Sequence, residues 1–415
     1  MNATEIMRVA LPVPLPQLFD YLPPAGGATA VPGCRVLVPF GPRRIVGVVV
    51  ATAARSELPR DRLHAVIEVL DAGQPVLDEA LMRLLRWCWQ YYKHAPGDVV
   101  ATALPPALRS ARGELPGPPL RYRLSATGQA QLAEGPGRAP VQHAMLRALA
   151  DGPQPAGRLV AIGSRWRKTL DTLIERGWVV AEREALVRPQ PAAGPELTAE
   201  QREALTAIRE APPGFHCHLL DGVTGSGKTE VYMCLLERVL AAGDQALVLV
   251  PEIGLTPQLL RRFSQRLGLE PVVIHSGLAA GERLAAWEAM RSGRGALLVG
   301  TRSALFTPMP RLRLLVLDEE HDASFKQQDG FRYSARDVAV KRAAERGIPI
   351  VLGSATPSLE SLNNAIEGRY AWHRLRKRAT RASLPAWRVL DMRQQQGFQG
   401  LTPAAMDATC VPWSS

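Results

Sequence analysis

The sequence predicts a multidomain α/β protein with a β-rich N-terminal domain, a winged helix and one lobe built on a parallel sheet. Three observations predict this architecture. The 415 residues are enough for about three domains. Short β-rich runs dominate the first hundred residues, and strands alternate with helices from residue 197 onwards. The composition, 46% hydrophobic and 21% charged, is that of a chain that buries a core.

The net charge and the cysteine content indicate which partners and which kinds of site are expected. Lys and Arg exceed Asp and Glu by 50 to 39, and this net charge of +11 favours an anionic partner, nucleic acid rather than a membrane. We expect no transmembrane helix, since no run of about 18 uncharged apolar residues occurs. The first residues lack a secretory pattern, so a cytoplasmic protein is predicted. Five cysteines without a CxxC pair support neither a disulfide framework nor a zinc site.

The N-terminal region reads as strands followed by a helix. Apolar runs at 36–40 and 45–51 predict two strands separated by turn-forming residues. Residues 78–92 carry apolar side chains at three- and four-residue spacing, which predicts a helix with Asp78 as its N-cap. The following stretch, rich in Pro, Gly and Arg, indicates a domain boundary.

A second region, at 141–184, predicts helices and then extended pieces. The segment SRWRKTLDTLIERGWVVAERE contains a basic helix, a glycine turn and an alternating apolar strand. This order is typical of a winged helix, whose helix and wing approach a phosphate backbone. A small helical connector is the alternative, and both interpretations stay open at this point.

Six apolar strands are predicted in the last region, and each is followed by a polar, Gly-rich or Pro-containing segment. Near-continuous apolar strands are expected where both faces of a sheet are covered. Ligands of open α/β sheets bind beyond the carboxyl ends of the strands. The six segments therefore predict one functional edge; in order they read GVTGSGKTE, PEIGLTP, HSGL, GTRSALF, DEEHD and GSATPS.

The first segment is a full GxxxxGK[ST] phosphate loop between a strand and a helix. Its glycines let backbone N–H groups surround phosphate oxygens at a helix N-terminus. Lys228 is expected to reach the β- and γ-phosphates, and the Thr229 hydroxyl to bind Mg²⁺. A chance glycine-rich turn is the alternative. The predicted nucleotide-binding residues are Gly222, Thr224, Gly225, Ser226, Gly227, Lys228 and Thr229.

Acidic residues after the fifth strand complete the predicted catalytic group. We assign Asp318 to the metal and Glu319 to orienting or activating the attacking water; capping of the next helix is the alternative. Coupling of the nucleotide to its surroundings is predicted for Glu320, His321, Ser354 and Thr356, with a structural His321 and a simple ST-turn at Ser354 as alternatives. The Gln201 amide is a candidate to read adenine, with a solvated helix face as its alternative.

Two groups of residues are candidates for DNA contact. Backbone, hydroxyl and guanidinium donors at the sheet edge are suited to a nucleic-acid backbone, although each is also a common turn or cap residue; they are Gly254, Thr256, Gly300, Thr301, Arg302 and Ser303. In the loop at 326–336, Phe331 and Tyr333 flank Arg332, a pattern suited to stacking on unpaired bases. Aromatics that pack on their own domain are the alternative.

The order of phosphate loop, DEEH and SAT resembles the first motor domain of superfamily 2 helicases. The longer segments GVTGSGKTEVY, VPEIGLTPQ, GTRSALFTP and LDEEHDASFKQQDGFRYSARD resemble the primosomal protein N′ (PriA) family of bacterial replication-restart helicases. VALPVPLPQLFDYLPP and GCRVLVPFG resemble that family's domain for the 3′ end of a nascent strand. The resemblance covers residues 5–400.

The resemblance implies a RecA-like ATPase lobe that uses ATP and Mg²⁺, and a 3′→5′ DNA helicase of the replication-restart primosome. It also implies binding to stalled forks, D-loops and single-stranded 3′ ends. The implied protein partners are single-stranded-DNA-binding protein and other primosome proteins, and a monomer is expected. Phe19, Asp20 and Gly41 match the family's 3′-nucleotide pocket, while His64 stands where a lysine is frequent. The loop around Arg332 matches one that couples DNA binding to ATP hydrolysis. The implied regions are 1–105 for 3′-end binding, 106–190 for the winged helix with linkers, and 191–390 for the motor lobe.

The final segment, 391–415, resembles neither of the parts expected next, a cysteine-rich zinc insertion and a second motor domain. We therefore expect a truncated or frame-shifted tail, without the family's zinc ligands. Because the second lobe supplies arginines to the γ-phosphate, this polypeptide is expected to bind ATP and forked DNA with little hydrolysis or unwinding. Two alternatives are a catalytically inert fork-binding module and another phosphate-loop enzyme such as a kinase or GTPase, which the absence of an NKxD-like segment disfavours.

Overall fold

A computed structural model describes residues 6–26, 30–117, 120–135, 139–183 and 190–379. The predicted tail at 391–415 lies outside these ranges. The N-terminal domain is an antiparallel sheet of five strands in the order β2-β1-β4-β3-β5, followed by two helices. Its elements are β1 (Ile6–Ala10), β2 (Phe19–Tyr21), β3 (Arg35–Phe40), β4 (Arg43–Ala53), β5 (Glu68–Val69), α1 (Glu79–Tyr91) and α2 (Pro96–Thr102).

The strands and helix predicted in this domain are confirmed. The runs at 36–40 and 45–51 form the hairpin β3–β4, whose turn contains Gly41 at φ +56°. Asp78 caps α1, since its carboxylate accepts a hydrogen bond from the Leu81 amide at 2.7 Å.

The second domain has a three-stranded antiparallel sheet in the order β7-β6-β8 with helices packed beside it. Its elements are β6 (Leu120–Leu124), α3 (Ala126–Ala133), α4 (Pro140–Ala148), β7 (Gln154–Pro155), α5 (Ala156–Leu159), α6 (Trp166–Glu175) and β8 (Val179–Arg183). The predicted basic helix, glycine turn and strand are α6, Gly177 at φ +70° and β8. Because β6 pairs with β8 around the helices, the arrangement is that of a winged helix rather than a helical connector. Strand β6 was not predicted, because its residues LRYRL alternate apolar and basic side chains beside the Pro- and Gly-rich boundary.

The third domain is a seven-stranded parallel sheet in the order β11-β12-β10-β13-β14-β9-β15. It contains α7 (Ala199–Glu210), β9 (Cys217–Gly222), α8 (Lys228–Ala241), β10 (Gln245–Leu249), α9 (Pro257–Leu267), β11 (Val272–Ile274), α10 (Ala280–Arg291), β12 (Leu297–Gly300), β13 (Leu312–Leu317), α11 (Ala335–Arg346), β14 (Ile350–Ser354), α12 (Leu359–Ile366) and β15 (Ala371–Leu375). All six predicted strands are present and parallel, so their carboxyl ends share one edge. The lobe is typical of RecA-like helicase domains, as predicted.

Side chains on alternating positions of the central strands fill two separate cores. Leu247 and Leu249 of β10 pack into one cluster, and Ala246 and Val248 into the other. Because successive side chains on a strand point to opposite faces, both faces of this sheet are covered. None of the helices in the described ranges has the length and apolar character needed to span a bilayer.

The N-terminal domain contacts the lobe through α1 and the segment after α2. The Arg346 guanidinium bonds Asp78 Oδ2 at 2.7 Å, and the Ser334 amide donates to the Tyr92 hydroxyl at 3.3 Å. The buried Trp287 indole donates to the Ala103 carbonyl at 2.9 Å. These contacts hold the first domain against α10 and α11.

Candidate nucleotide-binding and DNA-binding sites

The phosphate loop connects β9 to α8 and turns its backbone through two left-handed glycines. Gly225 and Gly227 both have φ of +80°, a conformation that side chains with a Cβ rarely adopt. A Cβ at Gly227 would also lie 2.2 Å from Gln201 Nε2. The loop therefore presents backbone N–H groups at the start of α8, where the helix dipole favours an anion.

Lys228 is the first residue of α8, and its side chain extends along the loop towards the end of β13. Its Nζ donates to the Gly222 carbonyl at 2.9 Å and lies 3.7 Å from Glu319 Oε1. The lysine side chain is 9% exposed. A cation at this depth, held by one carbonyl and near one carboxylate, is placed to exchange these contacts for phosphate oxygens.

Asp318 follows β13 directly and is held from two sides. Its Oδ1 accepts hydrogen bonds from the Tyr232 hydroxyl and the Glu319 amide, both at 3.1 Å. Burial raises the pKa of the Asp318 carboxyl, and the charge of Glu319 raises it further. Glu319 itself has φ +49°, a strained conformation for a residue with a side chain.

The two segments form one cavity of about 470 Å³, whose walls include Thr229, Lys228, Asp318 and Glu319. The described residues contain no cluster of three or more His, Cys, Asp or Glu that would form a metal site by itself. Mg²⁺ at triphosphates takes only one or two carboxylates, the rest of its shell being phosphate and water oxygens. A single carboxylate and a single hydroxyl, from Asp318 and Thr229, therefore fit this cation. The buried Ser226 Oγ has no hydrogen-bond partner among the described residues, which adds an unsatisfied donor within the loop.

Gln201 is buried beneath the phosphate loop, so the alternative of a solvated helix face is wrong. Its Nε2 donates to the Ser226 carbonyl at 2.7 Å, and its Oε1 accepts from the Thr198 amide at 2.8 Å. Gln201 also lines the 470 Å³ cavity. The contact to adenine stays a prediction, and it requires the amide to exchange one of these bonds.

The predicted coupling residues make different contacts from those expected. Ser354 Oγ bonds His321 Nδ1 at 2.7 Å rather than a carboxylate, and it also accepts from the Thr356 amide in an ST-turn. Glu320 is buried and contacts the start of α12 and the Arg336 guanidinium. Sequence analysis missed these partners, because no local pattern joins Glu320 to residues so far along the chain; they are Arg336 at 3.2 Å, Ser358 Oγ at 3.0 Å and Ser361 Oγ at 2.8 Å.

The four residues predicted to bind a 3′ end line one cavity of about 570 Å³ in the N-terminal domain; they are Phe19, Asp20, Gly41 and His64. Phe40 packs edge-on against Phe19 with ring centroids 5.2 Å apart. Asp20 accepts from the Ser56 hydroxyl at 2.6 Å, and Arg8 lies 3.7 Å from the same carboxyl group. One cavity therefore contains aromatic side chains, a carboxylate and the exposed His64. Their spacing in the sequence did not indicate that they share it.

The structure corrects the prediction that Phe331 and Tyr333 stack on unpaired bases. They are 5% and 7% exposed and stack on one another with centroids 4.8 Å apart. Tyr92 covers Phe331 from the N-terminal domain, at 5.7 Å between centroids. The faces of both rings therefore contact protein, in agreement with the alternative that these aromatics pack internally. Part of the packing comes from another domain. Arg332 is exposed.

Thr301 and Arg302, which were predicted to contact a nucleic-acid backbone, both have contacts within the lobe. Thr301 is buried, although it lines a cavity of about 260 Å³ beside His275. The Arg302 guanidinium donates to the Ser324 carbonyl at 2.9 Å. This arginine therefore holds the loop after DEEH through one of its nitrogens, and its contact to DNA stays a prediction.

Comparison with known proteins finds PriA relatives that are similar along most of the chain. A model of the 3′ DNA-binding domain of PriA matches residues 8–105, and a model of DEAD/DEAH box helicases matches residues 198–365. Replication restart protein PriA of Haemophilus influenzae is 38% identical over 97% of this chain and 56% of that protein. The chain is similar to replication restart protein PriA over nearly its whole length. The resemblance predicted from its motifs is confirmed.

Other PriA proteins are similar over a comparable extent. The PriA of Bacillus subtilis is 34% identical over 95% of this chain and 58% of that protein. The chain thus spans a little more than half the length of these PriA relatives. Among solved structures, the Hef helicase domain of Pyrococcus furiosus has a TM-score of 0.33 and 22% identity, over 44% of this chain and 38% of that chain.

Proposed function

We propose that this chain supplies the 3′-end-binding and ATP-binding parts of a replication-restart DNA helicase. The observation that carries the proposal is the cavity shared by the phosphate loop and the DEEH segment. Residues almost a hundred positions apart, Lys228 and Glu319, lie 3.7 Å apart there. The N-terminal domain with its aromatic cavity packs on the same lobe.

In this proposal the residues of the nucleotide cavity have separate tasks. Lys228 leaves the Gly222 carbonyl for the β- and γ-phosphate oxygens, and Thr229 with Asp318 holds magnesium. Bound magnesium supplies positive charge against the phosphate oxygens. Glu319 orients the attacking water and accepts its proton. Gln201 reads the adenine edge. Glu320, His321, Ser354 and Thr356 couple the nucleotide to α12 and neighbouring elements.

Hydrolysis by residues 1–415 is proposed to be slow. Arg262 is the one arginine among the described residues that line the nucleotide cavity. Its guanidinium lies 4.0 Å from the Glu230 carboxylate. An arginine that stabilises the transition state is worth on the order of 10³–10⁵ in rate where it has been analysed. We therefore propose ATP·Mg²⁺ binding with little turnover or unwinding.

The DNA substrate is proposed to be a stalled fork or D-loop with a 3′ end at its junction. The first region, 1–105, takes the terminal nucleotide, and the winged helix within 106–190 binds duplex phosphates. The motor lobe is assigned to 191–390. Single-stranded-DNA-binding protein and other primosome proteins are the proposed partners, in the bacterial cytoplasm.

Nucleotide binding tests the first half of this proposal. A fluorescent ATP analogue is titrated with Mg²⁺ into the wild type, Lys228→Ala and, as a control, Lys168→Ala, which removes an exposed lysine of the winged helix. We expect at least a tenfold loss of affinity for Lys228→Ala and none for the control. Equal binding by all three would instead favour a catalytically inert fork-binding module.

Binding to modified forks tests the second half. Forks that carry a 3′-hydroxyl or a 3′-phosphate at the junction differ only at the group that the N-terminal cavity would enclose. We expect weaker binding of the 3′-phosphate fork by the wild type and loss of that difference in Phe19→Ala. A wild type that binds both forks equally would show that the cavity does not read the 3′ end.

A further inference from the structure

Two arginines from different domains share a small cavity at the junction of the N-terminal domain and the motor lobe. Arg109 lies in the segment after α2, and Arg283 lies in α10. The Trp287 indole fixes the two segments together by its bond to the Ala103 carbonyl. The cavity is therefore built by the domain interface itself, apart from the three cavities described above.

The positive charges in this cavity lack a protein counter-charge. Its walls include no Asp or Glu, and neither arginine pairs with a carboxylate within the described part of the chain. Burial lowers the pKa of Arg109, and the charge of Arg283 lowers it further. Two like charges held together at a partly dry site raise the free energy of the protein unless an anion joins them.

Each guanidinium is oriented by backbone carbonyls and keeps further donors. Arg109 Nε donates to the Leu104 carbonyl at 3.1 Å. One nitrogen of Arg283, Nη2, donates to the carbonyls of His275 at 2.7 Å and Ser276 at 3.0 Å. A guanidinium has five N–H donors, so most of those on each arginine have no protein acceptor within the described ranges. Hydroxyl-bearing Ser303 and Thr307 line the same cavity.

The size of the cavity selects the ligand. Its volume is about 40 Å³, enough for two or three waters or one tetrahedral oxyanion and too small for a base or a sugar. Trp287 and Phe306 contribute apolar surface to its walls. Paired guanidinium groups bind phosphate through parallel hydrogen bonds, a geometry that halide ions do not satisfy.

We propose that this cavity binds one backbone phosphate of a DNA strand that passes from the N-terminal domain onto the motor lobe. The inference rests on the proposed function, since it gives the DNA of that proposal a fixed point at the domain junction. Arg109 and Arg283 both contact the same phosphate group, while Ser303 and Thr307 line the cavity around it. Inorganic phosphate shares this chemistry and is the competing source of the ligand.

The test is the salt dependence of binding to a labelled fork with a 3′-hydroxyl. Wild type is compared with Arg109→Gln, Arg283→Gln, the double variant and, as a matched control, Arg112→Gln, which removes an exposed arginine of the same segment. Each phosphate contact contributes roughly 0.7–0.9 to the slope of log affinity against log salt. We expect either single variant to lose about one contact and the double variant to lose no more. Slopes that stay at the wild-type value, or losses no larger than for Arg112→Gln, would overturn the proposal.

Two further measurements separate the possible failures. A scan with forks that carry one neutral methylphosphonate should show one linkage whose neutralisation weakens binding by the wild type, and this part of the test requires no variant to fold. Where the double variant folds, neutralising the same linkage should have no effect on its binding. Thermal unfolding with millimolar inorganic phosphate tests whether free phosphate is the ligand. If phosphate stabilises the wild type but not the double variant, and the salt slopes of fork binding are the same in both, the cavity binds free phosphate rather than DNA. If the double variant keeps ATP binding and the preference for a 3′-hydroxyl, a negative result counts against this cavity alone. If the wild type itself lacks both properties, the proposed function is wrong.

Discussion

The Tyr232 hydroxyl donates a hydrogen bond to Asp318 Oδ1 at 3.1 Å, and so connects α8 to the carboxylate predicted to hold magnesium. Tyr232 is 1% exposed. Because the donor is buried and α8 begins at Lys228, one helix positions both the lysine and the carboxylate of the nucleotide cavity.

Replacement of Tyr232 by Phe should weaken magnesium-dependent nucleotide binding, most at low pH. Burial already raises the pKa of Asp318, and the tyrosine bond opposes that rise. Without the bond the pKa rises further, and a protonated carboxyl does not bind Mg²⁺. We expect a several-fold loss of ATP affinity at pH 6 and a smaller loss at pH 8, measured by titration with the fluorescent analogue. Tyr91→Phe, at an exposed position, is the control. A loss that does not depend on pH would contradict this account.

Gly353→Ala should destabilise the lobe through contact with the same tyrosine. A Cβ at Gly353 would lie 1.5 Å from the Tyr232 hydroxyl and 2.8 Å from its Cζ. We expect a loss of about 2 kcal/mol or more in the free energy of unfolding, measured with denaturant. Adding Tyr232→Phe should restore part of it, because the nearest atom is then absent. Gly281→Ala, where a Cβ meets nothing within 4 Å, should leave stability unchanged or raised.

Phe331→Ala tests whether the loop after DEEH packs internally. The ring is buried between Tyr333 and Tyr92, so its removal should cost about 3–5 kcal/mol of stability. Arg332→Ala, at an exposed position, should change the free energy of unfolding by no more than about 0.5 kcal/mol. Weaker DNA binding by Phe331→Ala at unchanged stability would revive a role in base stacking.

Acidification should destabilise the lobe through His218. This histidine of β9 is buried, its Nδ1 lies 3.1 Å from His373 Nε2, and burial lowers its pKa to about 4. Between pH 6.5 and about 4, His218 is therefore protonated in the unfolded chain and neutral in the folded chain. The free energy of unfolding falls as the pH falls through this range. The loss is on the order of 3 kcal/mol across that window. Denaturant midpoints of wild type and His218→Gln check this, and a pH profile that is the same in both would refute it.

The parallel sheet of the lobe was predictable because strands buried on both faces form near-continuous apolar runs in the sequence. Six strands and their shared edge were found in this way. The seventh, β15, was missed because AWHRL at the sheet edge is partly exposed and mixes apolar with polar residues. The winged-helix strand β6 was missed for the same reason.

Contacts between domains were beyond prediction from local patterns. Tyr92 and His94 cover Phe331 from the turn after α1, and nothing in the loop at 326–336 indicates that cover. Gln201 shows a related limit, since its position upstream of the first strand suggested an adenine contact without indicating its bond to the phosphate loop. Chemistry was readable from residue type and spacing; the assignment of each donor to its acceptor was not.

The lobe's last described residue is tied to its phosphate loop. The Ala379 amide, just beyond β15, donates to the Gly225 carbonyl at 2.9 Å. Because this hydrogen bond joins the two backbones, a change in the glycine turn on nucleotide binding would act on residue 379, and tension applied at residue 379 would act on the turn. The bond therefore couples the phosphate loop mechanically to the end of the described lobe.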